Sequence, residues 1–209
     1  MTFELVNTLA TCATLVVIAV TAIAAIVQLR HLRASNQIAA FNELHKAYES
    51  SHLAAAHQYI DTRLNRDLED PAFRYAIAHR FARTEESHAA VKHLLNFAQF
   101  FETIGLLVKS NLIPSELVLA TWSDIIVAGW KQLAPVTAIF RQSQDAAAYE
   151  NFEYLAVLAQ RWQQKHPSGT YPKTMPRLPL EYAWADADRE YEASLNVASE
   201  TGRSAEALP

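Results

Sequence analysis

Glycine is scarce in this chain: 209 residues carry four, at positions 105, 129, 169 and 202. Runs of β-branched residues closed by turn residues are scarce as well. A sheet needs both, so the composition points to an all-α fold. Cysteine is limited to Cys12, which excludes a disulfide framework within one chain and suits a reducing compartment. No glycine-rich loop exists to cradle a phosphate, and Ser87, Ser110 and Ser123 lack the setting of a nucleophile elbow. Lys and Arg number 18 against 22 acidic residues, with no basic cluster along one face, so nucleic acid is not an expected partner. No motif specifies a reaction, a cofactor or a small-molecule substrate.

The most informative absence is of charge. Residues 5–29 contain no Asp, Glu, Lys or Arg, and residues 15–27 read LVVIAVTAIAAIV. A bilayer core of about 30 Å needs around 20 apolar residues at 1.5 Å each, so the run is long enough to span. Glu4 precedes it with no Lys or Arg, which is a poor secretory signal, although Ala22 and Ala24 resemble a cleavage site. Arg30, His31 and Arg33 follow directly, with Lys46 beyond. Positive flanks stay inside, which predicts an external N-terminus and residues 30–209 in the cytoplasm of a bacterial inner-membrane protein. Thr8, Thr11, Thr14, Thr21 and Gln28 lie within the run; Thr21 and Ala25, four residues apart, offer a small face for close helix approach.

Beyond the run, Ile38, Phe41, Leu44, Tyr48, Ala55 and Tyr59 recur at helical spacing, predicting one long helix that continues to about residue 66. Asp70-Pro71 starts a short helix to about Ala82. Thr84 caps the next, which buries Val91, Leu94, Phe97, Ala98, Phe101, Ile104 and Val108 and ends at Ser110-Asn111. Pro114 opens a helix through Trp122, Ile126 and Trp130 that Pro135 kinks or splits. Asp145 caps the last, burying Phe152, Leu155, Leu158 and Trp162. The expected architecture is a transmembrane anchor (1–30), a cytosolic bundle of about five helices (31–166), and a Pro-rich linker with an acidic tail (167–209). Residues 181–192 carry five carboxylates against Arg189 and read as a solvated tail or an amphipathic docking helix, and the last dozen residues as disordered.

Two Glu-x-x-His spacings, Glu49–His52 and Glu85–His88, carry the sharpest chemical pattern. A pair of such helices, with Glu102 and Glu153 added, is the ligand set of a di-metal carboxylate centre. Glu102 lies about 25 Å along the same expected helix from Glu85, and His88 faces water, which argues against it. His79, His93 and His166 read as surface or boundary residues. Glu102 itself reads as a structural carboxylate, with Arg74, Arg80 or Arg141 as its expected partner.

Residues 96–113, with Phe100-Phe101-Glu102, Ile104-Gly105, Leu107-Val108 and Leu112-Ile113, resemble an uncharacterised family of bacterial membrane-anchored helical proteins. Gln28-Leu29-Arg30, Trp130, Tyr149, Phe152 and Leu155 fit as well, and the resemblance covers roughly residues 5–165. It implies the anchored helical architecture and transfers no activity. The expected function is therefore a non-enzymatic module that holds a second copy or another protein at the bilayer, as a signalling or defence-type effector or adaptor. Phe100, Phe101, Glu102, Trp130, Thr21 and Ala25 are its candidate interaction or structural residues. The alternatives are the di-metal enzyme and a membrane-disrupting toxin.

Overall fold

The computed structural model describes residues 2–206, apart from the side chains of Leu5, Val6, Leu9 and residues 196–206. Eight α-helices and one 3-10 turn make up its regular structure, with no strand among the described residues. Two compact units divide it, Met1–Thr170 and Tyr171–Pro209.

The first helix, α1 (Phe3–Tyr48), is 46 residues long, about 70 Å of helix. Every described side chain of residues 10–36 is exposed. Further on, Ala40, Phe41, Leu44 and Tyr48 pack against the core, so the same helix is bare in one half and docked in the other. The expected continuation to residue 66 does not occur. The chain breaks at Glu49 and Ser50, where the Ser50 hydroxyl accepts from the Leu53 amide and caps α2 (Ser51–Thr62). That break re-phases the apolar stripe: Ala55 faces solvent, while Leu53, Ala56, Tyr59 and Ile60 are buried. A one-turn α3 (Leu64–Asp67) follows.

Asp70 caps α4 (Pro71–Ala78) through the Ala72 amide, 2.8 Å, as its sequence leads one to expect. The helix stops four residues early and a 3-10 turn covers Arg80–Ala82. Thr84 then caps α5 (Glu85–Lys109), and Asn111 closes it at φ 54°, the left-handed region that Asn tolerates best among residues with a side chain. All seven residues of the expected α5 stripe are buried. Next, α6 (Ser115–Ser143) runs unbroken through Pro135, whose neighbours Leu133, Val136, Thr137 and Phe140 are all buried and hold the helix together. Asp145 accepts from the Ala147 amide and so caps a turn, whereas α7 (Glu150–Lys165) begins after Tyr149.

Helix α5 packs against α2 and α7, and α7 packs against α6. Phe97, Phe101 and Phe152 are fully buried at their junction, with ring centroids 4.9 Å apart for Phe97–Phe101 and 5.2 Å for Phe101–Phe152. Trp130 meets Phe152 edge-on at 5.2 Å, a favoured aromatic geometry. Two glycines set how closely the helices approach. A Cβ on Gly129 would stand 2.6 Å from Cε1 of Phe97, and one on Gly105 would stand 2.1 Å from the Asn151 carbonyl oxygen.

In the second unit the acidic segment forms a helix, α8 (Ala185–Glu206), whose described side chains are exposed apart from that of Ala185. Local bonds account for this: Arg189 pairs with Asp186 one turn back, and the Tyr182 hydroxyl meets Asp188. Asp186 and Asp188 also sit in the first turn, where the helix dipole favours negative charge. Residues 207–209 lie outside the described residues.

Candidate functional site

Three places gather the functional candidates, and the first is α1 itself. Leu15, Val16, Val17, Ile18, Val20, Ile23, Ile26 and Val27 are each 47–63 % exposed, a continuous apolar surface with nothing packed on it among the described residues. It is the one helix among the described residues long and apolar enough to cross a membrane. The threonine hydroxyls are satisfied inside the helix, Thr21 Oγ1 donating to the Val17 carbonyl at 2.7 Å and Thr14 to Ala10 at 2.9 Å. Thr21 and Ala25 are both exposed and share a face. At the charged end, the Arg33 guanidinium donates to the Asn111 carbonyl, 3.3 Å, in the turn between α5 and α6. Farther along, Phe41 and Tyr48 meet Trp122 at 5.2 and 5.8 Å, and Tyr48 meets Phe100 at 5.9 Å. Phe100 is thus half-buried under α1, while its neighbour Phe101 belongs to the central core.

The second place is the start of α7. Its cap residue, Tyr149, has φ 57° and supplies no side-chain bond to the helix end. A carboxylate from another helix does so. Glu102 Oε2 accepts from the Phe152 amide at 2.8 Å, and Glu102 Oε1 accepts from Asn151 Nδ2 at 2.7 Å. The Asn151 carbonyl group of the side chain in turn accepts from Lys109 at 3.2 Å, and Lys109 pairs with Glu150. Glu102 therefore does not pair with Arg74, Arg80 or Arg141. Arg141 instead holds Glu153 at 2.8 Å and the Ala148 carbonyl at 2.9 Å, fixing the turn ahead of α7. Burial raises the Tyr149 phenol above its usual range, and the nearby Glu102 charge adds to this.

The third is a cleft of about 550 Å³ between α2, α4 and the start of α5. The Tyr59 hydroxyl donates to Asp67 at 2.9 Å, Arg63 lies over the Tyr59 ring, and His93 stacks on that ring at 5.5 Å. Among the described side chains, His93 Nδ1 is the buried polar atom left without a bond. Burial and the Asp67 bond push the Tyr59 phenol far above its ordinary value of about 10. A phenol whose folded pKa is raised stabilises the fold fully below pH ~10 and loses that contribution as pH climbs toward the folded value. Tyr59→Phe is expected to cost about 1.5–3 kcal/mol near pH 7, the worth of one hydrogen bond to a charged group. Melting curves at pH 7 to 11 check it: the gap between wild type and variant should narrow above pH 10, and a constant gap contradicts the assignment.

The di-metal arrangement does not assemble. The break at Glu49 and Ser50 places Glu49 at the end of α1, bonded to His45, and His52 in the first turn of α2, so the two are not on one helix face. Glu102 and Glu153 are engaged by Asn151, the α7 amide and Arg141. No group of three metal-ligating side chains converges among the described residues. What the sequence reading missed is Asn151, Lys109 and Tyr149 around Glu102, and the Arg33–Asn111 tie. The signal available was Glu102 standing at the edge of an aliphatic and aromatic stripe, where a carboxylate needs a partner.

With that geometry in place, a family model described as a domain of unknown function (DUF4760) matches residues 15–162. No curated protein and no solved structure matches the chain.

Proposed function

The chain belongs to the DUF4760 family, and from that membership and the course of α1 we propose a single-pass membrane protein whose cytosolic helical domain is a non-enzymatic interaction and assembly module. One observation carries the reading: a single unbroken helix presents bare apolar surface over residues 10–29 and is docked in the bundle by Phe41, Leu44 and Tyr48. Such a helix ties a folded domain to its anchor without a flexible linker. The family match supports treating the two as one unit, because it begins inside the apolar run and ends in α7. Arg30 and Arg33 at the exit support a cytosolic domain and an external N-terminus. A bacterial inner membrane is the setting this topology suits.

The non-enzymatic part rests on how the chemistry-bearing groups are used. Glu102, Glu153, Asn151 and Arg141 spend their bonds holding α7 to α5 and α6. The partner is a second copy or another protein, with the Thr21 and Ala25 face as the route for self-association in the bilayer.

The native mass of full-length protein in mild detergent tests this. The expected result is whole multiples of 23.4 kDa, or one copy with another protein bound. A lone 23.4 kDa chain overturns the assembly reading, and a chain shortened near Ala24 overturns the anchor in favour of a cleaved signal.

A further inference from the structure

Resting on that membrane reading, we infer that the turn between α5 and α6 (residues 110–114) is a second lipid contact, which seats Leu112 in the headgroup layer beside the exit of α1. Height along α1 is the first argument. Arg33 bonds the Asn111 carbonyl, and Arg33 lies four residues past Leu29, about 6 Å along the axis. The headgroup layer on each side of a bilayer is roughly 5–7 Å deep. The turn is thus at headgroup level whenever α1 spans.

Its side-chain arrangement is the second argument. The Leu112 amide donates to the Leu107 carbonyl at 2.9 Å and the Ser110 amide to Leu106 at 2.9 Å, so the turn's backbone is fixed. In helix ends of this kind the hydrophobic residue after the left-handed position commonly folds back on the helix. Here Ile113 takes the inward place at 1 % exposure, and Leu112 is left 58 % exposed. Leu32, on α1 just past the apolar run, is 60 % exposed as well. The charged groups around this end are Arg30, Arg33 and Lys109 with Glu116 and Glu150; Glu150 is already paired with Lys109. Arg30 and Arg33 have no ion pair with a carboxylate among the described residues, Arg33 holding the Asn111 carbonyl instead, and their positive charge favours anionic headgroups.

The test labels single cysteines with an environment-sensitive fluorophore in full-length protein, reconstituted in vesicles of phosphatidylcholine and phosphatidylglycerol. Leu112→Cys and Glu85→Cys are made in a Cys12→Ser background, and Cys12 of the wild type reports the span. Glu85 starts α5 and stands about 36 Å along it from Lys109. Nitroxide lipids labelled near the headgroup should quench the 112 probe at least twofold more than the 85 probe, with a blue-shifted emission at 112. Equal quenching at 112 and 85, with Cys12 quenched by deep acyl nitroxides, overturns this inference and leaves the anchor standing. A Cys12 probe that deep nitroxides do not quench overturns the anchor, and this inference with it.

Discussion

Gly105→Ala is expected to destabilise the bundle by about 3 kcal/mol, at the upper end of ordinary overpacking costs. For a chain of this size that is a fall in melting temperature of about 6–12 °C. The reason is backbone, not side chain. The new Cβ would lie 2.1 Å from the Asn151 carbonyl oxygen and 2.5 Å from its carbon, so α5 and α7 must part by roughly an ångström for normal contact. Parting them stretches the Glu102 bonds and loosens the Phe101–Phe152 stack. The sign is diagnostic, because alanine in a helix interior is otherwise favoured over glycine by about 1 kcal/mol. Thermal melts of the detergent-solubilised protein read it directly. Gly129→Ala should cost less, since its Cβ meets a Phe97 ring edge rather than backbone. A stabilised Gly105→Ala would mean that the two helices are not in this contact.

Glu102→Ala is expected to cost a further quantity of the same order, about 3 kcal/mol. Two donors lose their acceptor, the Phe152 amide and Asn151 Nδ2, at about 1–3 kcal/mol for each buried donor left bare, discounted here for partial exposure. The negative charge at the start of α7 contributes a few tenths of a kcal/mol more. Glu102→Gln keeps one acceptor and should lose about half as much. Hydrogen exchange of the α7 amides locates the effect: loss of protection should begin at Phe152 in the first turn of α7 and spare α2. Uniform loss across the domain would contradict a local capping role.

Local chemistry made some of this legible in the sequence. Thr84 and Asn111 mark the ends of α5 because a cap hydroxyl and a left-handed residue act within a few positions of themselves. The apolar run of α1 is legible by length alone. The break after Tyr48 is not, because Ser50 interrupts a helical pattern without glycine or proline, and its capping bond reaches only to Leu53. One missed break then misplaces Ala55 and joins Glu49 to His52 on a face that does not exist. The Glu102 site fails for a different reason: its partners lie about 50 residues away in α7, and the charged neighbour Arg141 that looked available is committed to Glu153. Tyr149 gives no warning of its left-handed backbone, which stands directly after the Ala148 carbonyl that Arg141 holds from another helix.

The central claim is that α1 crosses a bilayer and holds the helical domain on its cytosolic side. Protease digestion of alkaline-washed membrane vesicles, prepared in both orientations from cells making the full-length chain, tests it most directly. The account predicts that the chain survives the wash in the membrane, and that residues 30–209 are cut only in inside-out vesicles. Release of the chain by the wash, or cleavage of the domain in right-side-out vesicles, would contradict it.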